Sequence, residues 1–135
     1  MGKHIDYDKR WYDLLDKAAG GDRGVIDSMT PQKADEAILV AFRHFLLECY
    51  ADQILYEMGR ALTHDDSEQA LRMKVVSLHH WKPDDVEALD TEALIYALSG
   101  ELSHFKLPSD AVEVVQPQMN RRPYLSGALS HHQPE

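Results

Sequence analysis

The chain has 135 residues, enough for one ordinary domain, because a chain of this size buries about two thirds of its unfolded surface. Apolar residues make up 44% of it, too many for an intrinsically disordered chain, and 23 acidic residues stand against 14 basic ones for a net charge of −9. That balance excludes a binder of phosphate backbones or anionic membranes, both of which need clustered bases, and favours a basic partner.

The first residues, Met1-Gly2-Lys3-His4-Ile5-Asp6, lack the apolar core of a signal peptide, and Asp6 stands where a myristoylation motif wants Ser or Thr. The longest apolar run, 37–42, is far shorter than a membrane span. Cys49 is the only cysteine, so no internal disulfide forms, and a buried thiol suits a reducing compartment. The expected location is the cytoplasm.

Tyr7, Trp11, Leu14, Leu15 and Ala18 recur at helical spacing and predict a first amphipathic helix, stopped by Gly20-Gly21. The connection 20–29 carries Val25, Ile26 and Met29, so it is expected to lie against the core. Thr30 then offers a cap and Pro31 a first helical position, and no further Pro interrupts before residue 62. This long helix of about 31–62, continuous or jointed near Asp52, is the element around which the rest is expected to pack. At seven-residue spacing Ala37, His44, Ala51 and Met58 alternate with Val40, Leu47, Ile54 and Ala61, an apolar seam with one polar member, His44. A second stripe of Ile38, Ala41, Phe42, Phe45 and Cys49 lies roughly opposite, so the helix should be covered on two sides. Its small seam residues would also let a twin approach, and a homodimer is the expected assembly.

Asp65 and Glu68 form a loose capping box ahead of Leu71, Val75 and Leu78; the stretch 72–78 also fits a strand, and length and flanks decide for a helix. Pro83 with Asp84, Asp85 and Glu87 starts a short helix running to about Leu89, and Asp90 or Thr91 caps the next. That helix carries Leu94, Ile95 and Leu98, and continues through Leu102 and Phe105 after a kink at Gly100. Pro108-Ser109-Asp110 begins a last turn or two with Val112 and Val115, and 116–135, with three Pro, is expected to be a flexible tail. The result is an all-α bundle of five to six helices in a single domain, 1–115, followed by that tail.

Two features bear on function. Between residues 84 and 113 stand eight acids, Asp84, Asp85, Glu87, Asp90, Glu92, Glu101, Asp110 and Glu113, against the single base Lys106. A local negative surface steers basic partners and competes for phosphate-binding sites, although Asp and Glu are also favoured in helix first turns. Asp84, Asp85, Glu87, Asp90 and Glu92 are therefore the candidate partner-binding residues. The second feature is histidine, eight in all. His44 and Glu48 are one helical turn apart, and Glu101-Leu102-Ser103-His104 puts an acid and a His on one face. The latter unit resembles half of the ligand set in ferritin-like di-iron bundles, but no second Glu-x-x-His completes it. His44, Glu48, Glu101 and His104, with His79 or His80, are the candidates for a Zn or Fe site; the competing reading of His44 is an imidazole bonded to a neighbouring helix.

Catalytic motifs are missing: there is no Gly-rich phosphate loop, no Gly-x-Ser-x-Gly and no Cys-x-x-Cys. The tail segment Asn120-Arg121-Arg122-Pro123-Tyr124-Leu125 has bases and apolar anchors that suit docking on a partner or on the chain's own acidic body. The expectation is a non-enzymatic acidic helical protein without a cofactor that binds and regulates a protein partner, as an inhibitor, immunity factor, chaperone or accessory subunit. The alternative is a small helical metalloprotein.

Overall fold

The computed structural model describes residues 6–57 and 67–134, apart from the side chains of Arg23, Ser67 and Glu68. Among them every regular element is a helix and no strand occurs. Helix α1 (Tyr7–Ala18) begins where Asp6, in extended conformation, accepts the Lys9 N–H at 3.2 Å. It buries Tyr7, Trp11, Leu14 and Leu15 and gives way to Gly20 and Gly21, whose φ angles of +87° and +124° few other residues tolerate. The connection is a 3-10 helix, Arg23–Ser28, that buries Ile26 and leaves Val25 exposed.

Helix α2 (Pro31–Glu57) starts as its sequence asks, with Thr30 Oγ1 accepting the Lys33 N–H at 3.4 Å. The predicted remainder to residue 62, with seam positions Met58 and Ala61, lies outside the described residues, as do Asp65 and the Glu68 side chain of the capping box. Ile38, Ala41, Phe42, Phe45 and Cys49 are all buried. The seam is covered only in part: Ala37, Leu47, Ala51 and Ile54 are buried and His44 is half-buried, but Val40 is 39% exposed. Leu47, Ala51 and Ile54 are thus closed off within the chain's own fold, which removes them as a ready surface for a twin.

Helix α3 (Ser67–His79) shows 72–78 to be helical and buries Ala70, Leu71 and Val75, while Leu78 is exposed. It closes at His80, whose φ of +58° is the left-handed conformation of a helix C-cap; the His80 N–H donates to the Val76 carbonyl at 2.8 Å. Then follow α4 (Pro83–Glu87) and α5 (Thr91–Ala97), the latter capped by Asp90 Oδ1 accepting the Ala93 N–H at 2.9 Å. The expected kink comes at Leu98, before Gly100, where α5 stops and α6 (Ser99–His104) starts.

The C-terminal expectation is corrected. Helix α7 (Ser109–Met119) is three turns long, and α8 (Pro123–Ser130) follows where a flexible tail was predicted. Met119, Leu125 and Leu129 are fully buried. Pro117 sits inside α7 and forfeits one helical N–H, at about 3 kcal/mol. Burial of Val112, Val115 and Met119, at about 1.5–3 kcal/mol each, outweighs that loss. The count is eight α-helices among the described residues, not five or six.

Contacts group the described residues into two compact units, Leu47–His104, and Ile5–Leu46 with Phe105–Glu135. The boundary falls inside α2. In the second of these units α1 packs on the 3-10 helix and on α7, and α7 packs on α8. Trp11 and Tyr7 meet Phe45 edge-on, with centroids 5.5 and 6.1 Å apart, at the aromatic centre of that core. In the first, α3 packs on α4 and α5, and α5 on α6, around Leu71, Val75, Val86, Leu94 and Leu98.

Candidate functional site

All five candidate acids are exposed. Asp84 and Asp85 occupy the first turn of α4 behind Pro83, Glu87 is its last residue, and Glu92 stands in the first turn of α5. Asp90 is committed to the α5 cap. Local sequence logic explains this placement, since acids complement the exposed N–H groups of first turns. The same logic puts five carboxylates on consecutive short elements. Over 83–105 the sequence holds no Lys or Arg, with Lys82 and Lys106 standing at the two ends of the stretch.

Beside them, α3 and α4 leave a cleft of about 390 Å³, open to solvent. Its lining is mainly apolar, from Met73, Val76, Pro83 and Val86, with Glu87 and Arg72 as charged members. Arg72 donates from Nη2 to the Leu89 carbonyl at 3.0 Å, which ties α3 to the turn after α4 and shapes the cleft wall. At the end of α3, Trp81 is 45% exposed and its ring stacks on His79 at 5.1 Å. His79 in turn donates from Nε2 to the Ala97 carbonyl at 2.8 Å. This anchors the α3 terminus on α5, whose Tyr96 is 82% exposed. Spacing singles out neither Trp81 nor Tyr96; for Trp81 the available signal is an aromatic residue in a connection, between a helix-ending His pair and a Pro.

The metal candidates fare differently. Among the described residues no group of three or more His, Cys, Asp or Glu side chains is placed to hold a metal ion. The His44, Glu48, Glu101, His104 set and its variants with His79 or His80 are therefore not assembled. His104 donates from Nδ1 to the Gly100 carbonyl at 2.9 Å, a bond within its own helix. His79 is occupied with Ala97, His80 serves as the α3 C-cap, and His44 is half-buried with interactions of its own. Helical spacing brings pairs onto one face, but a metal needs a third ligand from elsewhere.

The titratable groups that stand out are structural. The Cys49 thiol is buried, and burial, then Glu48 and Asp52, push its pKa upward, so it stays protonated and a poor nucleophile. Tyr50 is pushed up to about 12, first by burial and then by Glu101 and Glu57. His132 moves the other way: burial lowers its pKa, opposed by its bond to the Phe105 carbonyl at 2.8 Å and reinforced by His131 and Lys106. The basic tail segment docks within its own unit. Arg122 pairs with Asp35 at 2.8 Å and Arg121 with Asp27 at 3.0 Å.

A second cleft of about 560 Å³ lies along the exposed side of α2, with Leu39, Val40 and Tyr124 against Asp35 and Arg43, and it gathers no reactive group set. No described helix is long and apolar enough to cross a membrane. Comparison with known proteins finds no matching family model, no matching curated protein and no matching solved structure.

Proposed function

We propose that this chain is a non-enzymatic protein that binds and regulates a basic protein partner through the acidic face of α4 and α5. The observation that carries the reading is the run of exposed carboxylates Asp84, Asp85, Glu87 and Glu92 in a stretch, 83–105, without a single Lys or Arg. Exposed charges of one sign raise the rate of encounter with an oppositely charged protein and reject acidic ones. An inhibitor, immunity factor, chaperone or accessory subunit would each use such a face.

The test is affinity capture from the cells that make the protein, at rising ionic strength. A basic partner should be retained at low salt and released toward about 0.5 M, where screening shrinks to a few ångströms. It should be lost from the Asp84→Asn/Asp85→Asn/Glu87→Gln variant. Retention of the same partner by that variant, at every salt concentration, would overturn the reading.

A further inference from the structure

The cleft between α3 and α4 gives the acidic face a shape as well as a charge, and the geometry points to one kind of occupant, an amphipathic helix with basic flanks. This inference rests on the acidic face being the partner contact. The floor is apolar, with Val76 and Val86 at the meeting of the two helices and Met73 and Pro83 beside them. Met73 is 43% exposed, a large apolar side chain left at the mouth. Glu87 lines the same opening, as does Arg72, whose Nη2 is engaged with the Leu89 carbonyl, and Asp84 and Asp85 precede Glu87 on α4 outside the lining. An apolar slot with Glu87 on its α4 wall and Arg72 on its α3 wall, and with Asp84 and Asp85 next along α4, is complementary to a helix that carries a Leu- or Phe-type anchor on one face and Lys or Arg on the flank that meets α4.

The fold narrows the mode of docking further. A peptide can add to a protein as an extra strand only where a sheet edge is free, and the described residues contain no strand. A groove between helices receives another helix by ridge-into-groove packing. A second copy of this chain is a poor occupant: its net charge is −9, and its Arg121 and Arg122 are already paired with Asp27 and Asp35. The fitting ligand is a basic amphipathic helix of another protein.

The full chain is titrated with a synthetic Leu–Lys amphipathic helix of about five turns, with an all-Lys peptide of equal charge, and with a Leu–Glu helix. The Leu–Lys helix should bind at least about tenfold more tightly than either control. Ser77→Tyr, which fills the cleft from an exposed position, and Met73→Gln, which strips its mouth, should each weaken it by about tenfold, with helical circular dichroism unchanged. If the all-Lys peptide binds equally well and Ser77→Tyr has no effect, the cleft proposal fails while the acidic contact survives. If binding is indifferent to both Asp84→Asn/Asp85→Asn/Glu87→Gln and salt, the acidic contact itself fails. Preference for the Leu–Glu helix, or self-association blocked by Ser77→Tyr, would also overturn the proposal.

Discussion

His132 shows how one side chain can tie the C-terminal end of the chain to its unit. The ring is buried, packs edge-on against Phe42 at 5.7 Å, and donates from Nδ1 to the Phe105 carbonyl, while the His132 carbonyl accepts the Leu107 N–H at 2.8 Å. Burial favours the neutral imidazole by more than the Phe105 bond favours the charged one. Because burial lowers the folded-state pKa below the ordinary value of 6.5, the unfolded chain takes up the proton first as the solution is acidified. The stability this residue supplies is complete above that value and is lost as pH falls from it through the folded pKa. Urea titrations at about pH 7.5 and about pH 5 should therefore show a larger loss for the natural chain than for His132→Gln, whose amide can still donate to Phe105. Equal losses would mean that the ring protonates without cost.

At the scale of elements, the sequence made the helices legible wherever apolar residues recur on one face and a polar residue caps the start. Asp6, Thr30 and Asp90 cap α1, α2 and α5 as their chemistry demands. It was less informative about α8, because three Pro suggested a break in structure. Pro123 stands at the first position of α8, where a helix accepts it, and the loss at Pro117 inside α7 is outweighed by burial of that helix's apolar face. The overlooked signal was the spacing Ala111, Val115, Met119 and then Leu125, Leu129, each buried position within a helix standing four residues after the last. Seven-residue spacing likewise placed Val40 and Leu47 on one edge of α2, yet only Leu47 is covered, because spacing fixes a direction and cannot say whether anything packs there. Two comparisons check this account by denaturation. Leu47→Asp should destabilise by more than about 3 kcal/mol through an unpaired buried charge, whereas Val40→Asp should cost less than about 1 kcal/mol. Similar losses would contradict the burial pattern. Arg122→Ala should cost about 1–2 kcal/mol, since its partner Asp35 is mostly buried, and Arg121→Ala less than about 0.5 kcal/mol at the exposed Asp27. The reverse order would place the α7–α8 anchor elsewhere.

For the whole molecule, composition predicted an acidic protein and apolar spacing a helical one, and the structure distributes that acidity unevenly. The Arg121 and Arg122 pairs neutralise acids in one unit, while the exposed acids of α4 and α5 stand in the other, beside an apolar cleft. The candidate acids were readable from sequence because a one-sided charge run needs no tertiary information. The cleft was not, since it arises from the approach of α3 to α4 and the Arg72 bond to Leu89. Nor could sequence decide the metal alternative, because ligands from separate helices meet only in three dimensions. Chemical-shift mapping of the isotope-labelled full chain with the Leu–Lys helix tests the central claim most directly. The account predicts perturbations gathered on α3, α4 and the start of α5, strongest at Met73, Val76 and Glu87, and fading as salt rises. Perturbations centred instead on Leu39, Val40 and Tyr124, or spread evenly over the chain, would contradict it.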